Sequence, residues 1–415
     1  MNVLLIGGGG REHALAWKIS ASPRLGKLHA IPGSDAIAGL AVCPPIEQSD
    51  SGAILAYALE NKIDLAVIGP EEPLARGLGD ELASAGIKVF GPSRKGAMLE
   101  ASKQFAKEFM ARHGLPTAGF QVLYEAGYAR QRIKENRKYP LVIKADGLAA
   151  GKGVRICADE GEALRAVEDL MEKRMFGYSG SKLVMEEHLT GREASVMALV
   201  DGNSYLMLPV SRDHKRLRDG NEGPNTGGMG AVAPVRLEDN VLETVRTEVL
   251  DRFIAGIKKD GIPFRGVIYA GIMLTPSGPK VLEFNVRLGD PETQCLLPLL
   301  DGDILELLSA CAEGRLAGKK AGASGACASV VLSARGYPDA PEKGREISGL
   351  DDLPEGALVF HSGTRKADGK FVTCGGRVLA VSCRAATPEE AREKVYAAVK
   401  KIRFDGMHFR TDIGL

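Results

Sequence analysis

A chain of 415 residues exceeds what one hydrophobic core holds, so about two to four domains are expected. Composition is that of a globular protein, at 44% hydrophobic and 26% charged, and aromatics at 5% are too few for base-stacking platforms. The 54 lysines and arginines balance 53 acids for a net charge of +1, which excludes strong electrostatic attraction to nucleic acid or an anionic membrane.

In chain order, residues 3–6 read as a buried strand, 12–19 as a helix, and 28–31 as a strand stopped by Pro32-Gly33. A helix at 53–61, a strand at 65–68, a helix at 78–85 and a strand at 88–90 follow. This alternation predicts a doubly wound parallel sheet, with ligands at the carboxyl ends of its strands. Residues 101–120 read as a helical segment ending at Gly114. Next comes a compact α/β stretch with strands at 141–144, 154–157, 183–187 and 194–200 and a helix at 162–172. A helix near 240–258 precedes long strands at 266–274 and 280–285. The Gly-, Ala- and Lys-rich run 318–325 marks a boundary. Beyond it, strands near 326–333, 357–361 and 376–382 and a helix at 388–401 form a last α/β unit.

The seven cysteines form no Cys-x-x-Cys pair, and no His-Glu-x-x-His is present. Reduced thiols, a cytoplasmic location and a monomer are expected. MNVLLIGGGG lacks a basic n-region, and no run reaches the ~18 apolar residues of a membrane span.

GGGGREHALAW, residues 7–17, joins the first strand to the first helix. A dinucleotide fingerprint needs Gly-x-Gly-x-x-Gly and an acid closing the second strand. Its third glycine position falls on Glu12 or His13, and the second strand ends Ile31-Pro32-Gly33, so NAD is not expected. Backbone N–H groups of Gly9, Gly10 and Arg11 can still meet an anion at the helix N-terminus; the alternative is a plain tight turn. His13 and Trp17 read as packing residues.

KADGLAAGKGV, residues 144–154, sets Gly147, Gly151 and Gly153 beside Lys144 and Lys152. It lacks the Gly-Lys-[Ser/Thr] ending of a Walker loop and reads as a flap over nucleotide phosphates, or as a glycine hairpin with solvated lysines. EEHLTGREAS, residues 186–195, joins two strands; a backbone hinge there can read an adenine edge, and Glu193 can accept from ribose hydroxyls. SRDHKRLRDGNEGPNTGGMGA, residues 211–231, reads as a long polar loop. Its Asp213, Lys215 and Arg216 suit a small zwitterion, and Asn225, Thr226, Gly227 and Gly228 offer donors to a phosphate or sugar. In VLEFNVRLGDPETQ, residues 281–294, Glu283 and Asn285 share one strand face and offer hard oxygens to Mg²⁺, or Mn²⁺ in its place. Arg287 continues that face and can clamp a carboxylate or phosphoryl group.

Together and in this order, with IGPEEPL before them and GGRVL after, these stretches resemble the ATP-grasp superfamily. Within it they are similar, nearly end to end, to the phosphoribosylamine–glycine ligases (glycinamide ribonucleotide synthetases). The resemblance implies a multidomain α/β fold. An N-terminal doubly wound sugar-phosphate-binding domain would cover residues 1–100. An ATP-grasp domain would cover 101–318, with a mobile lid at about 120–190, and a C-terminal α/β domain 325–415. It implies ligation of glycine to phosphoribosylamine with ATP as co-substrate. Lys103 and Lys144 would hold ATP phosphates, with Gly151, Lys152 and Gly153 in the flap. Glu186, Glu187 and Leu189 would frame the adenine, Glu193 the ribose, and Glu283 and Asn285 the metal. Arg287, Asp213 and Lys215 would serve the reacting groups, and Gly9–Arg11 with Asn225–Gly228 the sugar phosphate. One departure is that the strand GVIYAGIML carries no acid where many such enzymes place a further metal ligand.

Overall fold

The computed structural model describes residues 1–148, 153–175 and 177–415. Four parallel strands open the fold, in the order Lys27–Pro32, Asn2–Gly7, Leu65–Ile68, Lys88–Phe90. Their apolar runs are buried on both faces, as a parallel sheet between helices requires. Helix Gly10–Ser20 leaves the first strand directly, and the strands and helices expected up to residue 90 are present.

Two antiparallel sheets follow. Phe120–Leu123, Leu183–Glu187, Leu141–Ala145 and Val154–Cys157 form the first, in that order. Tyr205–Met207, Arg192–Val200, Gly266–Thr275 and Gly278–Asn285 form the second. The smaller sheet carries its own apolar core, with Leu123, Ile133, Ile143, Val167, Leu170 and Leu183 fully buried. Helix Lys103–Arg112 stands beside it, its start fixed by Ser102 Oγ accepting from Phe105 N.

The last sheet joins distant parts of the chain. Its order is Arg212–Asp213, Gly230–Ala233, Ala326–Ser333, Arg377–Ala385, Ala357–His361. Residues 211–231 are therefore not the long loop their polarity predicts. They supply two strands to this sheet and a two-stranded ribbon, Arg216–Arg218 with Glu222–Asn225. The ribbon is held by polar contacts in place of apolar ones: Gly220 N donates to Asp412 and Thr411 N to Asp219.

Helices Glu71–Arg76, Arg94–Ala101, Ala126–Glu135, Glu292–Leu299 and Ile304–Ala312 also escape the sequence reading. Glu292–Leu299 is buried at every position and carries Pro298 inside, so it shows no amphipathic stripe.

The first helix packs against the last sheet. His13 Nδ1 accepts from His361 N at 2.9 Å, and both His13 and Trp17 meet the Phe360 ring edge-on. They are packing residues, as expected. Burial lowers His13, His214 and His361 from 6.5 to about 4. Each folded pKa lies below its unfolded value, so between those values the unfolded chain binds more protons. Stability should therefore fall as pH drops from 6.5 towards about 4. His13→Gln should flatten that limb when thermal midpoints are compared across the window; an unchanged slope would show that these histidines do not carry it.

Candidate active site

A cavity of about 1300 Å³ opens where the sheets converge. It is lined by Arg11, Lys103, Lys144, Gly153, Glu186, Glu187, Leu189, Glu193, Asp213, Lys215, Arg216, Asn225, Thr226, Gly227, Glu283, Asn285 and Arg287. These are motif residues that the sequence scatters over nearly three hundred positions, and folding brings them to one place. Gly9, Gly10 and Gly228 are not among its lining residues. Gly151 and Lys152 lie outside the described residues.

The cations at one end of the cavity are organised by one carboxylate. Glu186, on strand Leu183–Glu187, receives Lys107 Nζ at 2.8 Å and Lys144 Nζ at 3.0 Å, with all three side chains no more than 7% exposed. Lys107 Nζ also donates to Thr117 Oγ1 and Lys144 Nζ to Leu282 O. Desolvation lowers Lys107 to about 8, against the pull of Glu186. Lys103 Nζ donates to Gly147 O at 3.0 Å, and Asp146 takes Ser102 Oγ and Gln104 N. The base of the 144–154 hairpin is thus tied to the helix N-terminus.

Facing them, Glu283 and Asn285 point from strand Gly278–Asn285. Desolvation acts to raise Glu283, but Lys215, Lys144, Lys103 and Arg287 outweigh it and hold the carboxylate below its ordinary range. Lys215 bonds Glu193 at 3.0 Å. Burial opposes its charge, yet Glu193, Glu283 and Asp213 keep it protonated. A carboxylate and an amide oxygen on one strand face suit a hard cation, which takes its remaining ligands from phosphate and water. Gly271 stands opposite Glu283 and Tyr269 opposite Asn285, so the neighbouring strand adds no acid. No cluster of three or more metal-ligating side chains occurs among the described residues.

Arg287 is more engaged than a free clamp. Its guanidinium meets Glu71 at 3.2 Å, Glu100 at 3.1 Å and Asn285 Oδ1 at 3.2 Å. At the helix N-terminus, Glu12 occupies the place expected for an external anion. Its carboxylate accepts from Gly9 N at 2.9 Å and from Arg11 Nε at 2.6 Å, and Arg11 also donates to Leu288 O. The Glu12 carboxylate thus caps the helix at Gly9 N, with Arg11 as its ion-pair partner.

The 225–228 donors are likewise engaged. Thr226 N and Oγ1 donate to Lys215 O, Gly228 N to Thr226 Oγ1, and Gly227 N to Tyr337 OH. Among the described residues the Asn225 side chain makes no hydrogen bond.

Sequence reasoning missed Lys107, Glu292 and Arg377. Lys107 lies four residues after Lys103 on one helix face, a spacing that could have found it. Glu292 is buried at the start of helix Glu292–Leu299, where its Oε1 accepts from Tyr269 OH at 2.5 Å and Ser195 Oγ at 3.1 Å. Burial and the Glu292 charge raise its neighbour Asp213 well above the carboxylate range.

The chain matches three family models: the phosphoribosylglycinamide synthetase N domain over residues 1–100, its ATP-grasp (A) domain over 101–293 and its C domain over 327–415. It is 46% identical to a phosphoribosylamine–glycine ligase of Caldanaerobacter subterraneus subsp. tengcongensis, covering 100% of this chain and 99% of that one. It is also 46% identical to one of Caulobacter vibrioides, covering 100% and 98%. The crystal structure of phosphoribosylamine–glycine ligase from Thermotoga maritima superposes with a TM-score of 0.86 at 38% identity, covering 100% of both chains.

Glu186→Gln should leave two buried ammonium groups short of a counter-charge. A stability loss of about 3–5 kcal/mol is expected from urea denaturation near neutral pH. A loss below about 1 kcal/mol would mean that the lysines are neutral or hydrated.

Proposed function

The chain belongs to the phosphoribosylglycinamide synthetase family, and from that premise we infer how its cavity serves the family's reaction. The protein ligates glycine to phosphoribosylamine at the expense of ATP in purine biosynthesis, yielding glycinamide ribonucleotide, ADP and phosphate. The observation that carries the reading of the site is the convergence of Lys103, Lys144 and Lys215 on the Glu283–Asn285 strand face within one cavity.

ATP lies with its phosphates among Lys103, Lys144 and the 144–154 hairpin, and its adenosine near Glu186–Leu189 and Glu193. A divalent cation, Mg²⁺ or Mn²⁺, is held by Glu283 and Asn285 and supplies charge neutralisation to the phosphates. A glycine carboxylate oxygen attacks the γ-phosphorus, the bond to the ADP oxygen breaks, and glycyl phosphate forms. The amine of phosphoribosylamine then attacks the acyl carbon, phosphate leaves with the C–O electron pair, and the amine gives up a proton. Positioning and neutralisation suffice for such transfers, which agrees with a site built from lysines and arginines rather than a nucleophile. Asp213 takes the glycine ammonium, whose positive charge offsets burial and Glu292 and favours the ionised carboxylate, Lys215 helps neutralise the phosphoryl group, and Arg287 takes the carboxylate with the donor capacity its acidic partners leave. Phosphoribosylamine lies between Arg11 and the 225–228 loop, and the lid closes before chemistry to shield the acyl phosphate from water.

ADP release should require ATP, glycine and phosphoribosylamine generated in situ; equal release with glycine omitted would refute the assignment. Glu283→Gln should raise the half-saturating Mg²⁺ concentration at least about tenfold and weaken Mn²⁺ binding seen by electron paramagnetic resonance. Unchanged Mn²⁺ affinity would place the cation elsewhere.

A further inference from the structure

Two side chains of the last α/β unit reach into the cavity wall. Arg377 opens strand Arg377–Ala385, and Tyr337 lies on the turn after strand Ala326–Ser333; both line the cavity. Arg377 NH1 donates to Gly227 O at 2.6 Å and to Asp290 O at 2.7 Å, and stands 3.3 Å from the Asp290 carboxylate. Tyr337 OH accepts from Gly227 N at 2.9 Å. Both polar groups of the Gly227 backbone are therefore held from the other unit.

Shape enforces the same contact. A Cβ at Gly227 would sit 3.1 Å from the Arg377 Cζ, so the guanidinium lies flat against the glycine. At Gly228, with φ at +111°, a Cβ would sit 2.4 Å from Pro291 Cδ and 2.6 Å from Asp213 Oδ1. The loop is thus pressed between the Asp290–Pro291 turn and the last unit. Against desolvation, the Asp290 carboxylate favours the charge on Arg377.

We propose that Arg377 and Tyr337 are positioning residues for the ligation, which lock the 225–228 loop in the conformation that closes the phosphoribosylamine pocket. They touch the loop, not the reacting atoms. This rests on the reading that the loop borders phosphoribosylamine. It gives the last α/β unit a part in substrate binding, through a loop that belongs to the grasp portion of the chain. Arginine suits the role because its rigid planar guanidinium rests against Gly227 while one of its nitrogens reaches both carbonyls, a fit that an ammonium on a flexible stem does not reproduce.

The test compares Tyr337→Phe, Arg377→Lys and Thr226→Ala in steady-state kinetics with phosphoribosylamine generated in situ, alongside thermal midpoints. Tyr337→Phe keeps the ring and removes one acceptor, so KM for phosphoribosylamine should rise up to about tenfold. Its kcat, its KM for ATP and glycine and its thermal midpoint should hold. Arg377→Lys should raise the same KM as much or more, and Thr226→Ala, altering the loop itself, should do likewise. If Thr226→Ala raises that KM while Tyr337→Phe and Arg377→Lys do not, the lock is overturned and the loop assignment stands. If Thr226→Ala leaves it unchanged, the loop assignment fails and takes the lock with it. If the Tyr337 and Arg377 variants shift all KM values and the thermal midpoint together, their role is structural and the proposal is overturned.

Discussion

The burial of like charges beside a cavity governs the site. Moving an ammonium ion from water into a dry interior costs of order 20 kcal/mol in the idealised limit, whereas an ordinary hydrogen bond contributes about 1 kcal/mol net. Lys107 and Lys144 are both buried, and the carboxylate that makes this tolerable is Glu186. One pairing therefore fixes helix Lys103–Arg112 against strands Leu141–Ala145 and Leu183–Glu187. Glu186 answers two lysines, so positive potential is left over beside Glu283. A phosphate chain suits such a place.

Much of the fold was legible because its signals are local. Strand Leu65–Ile68 is an unbroken apolar run closed by Gly-Pro, and helix Pro388–Val399 carries Thr387 as its cap. Helix Glu292–Leu299 was not legible, since a segment buried on all sides has no polar face to set a period. The 211–231 stretch misled for the opposite reason. Its strand Gly230–Ala233 pairs with residues near 330, and its ribbon is tied to residues near 410, both more than eighty positions away, and no local pattern announces a contact at that distance.

The site divides along the same line. That Glu283 and Asn285 line the cavity together was legible because alternation on a strand places them on one face. The cap at Gly9 was not legible because it depends on a rotamer: the Glu12 side chain turns back onto Gly9 N. Arg377 stayed hidden inside a GGR motif, because its acceptors are backbone carbonyls of Gly227 and Asp290, and carbonyls leave no mark on a sequence.

Apolar cores and polar contacts are distributed unequally among the units. The first parallel sheet shares its apolar clusters with both the larger antiparallel sheet and the last unit, so separating them would expose apolar surface. The smaller sheet, residues 120–187, keeps a separate core. Hydrogen bonds and ion pairs hold its inner end: Lys103 to Gly147, Ser102 to Asp146, Lys144 to Leu282 and Lys107 to Glu186. Displacing that sheet would leave its core closed and would cost chiefly these polar contacts, which water can replace for all but the buried ion pair. The smaller sheet is therefore joined to the rest by the exchangeable class of interaction. The first sheet, the larger antiparallel sheet and the last unit are joined by the class that is not.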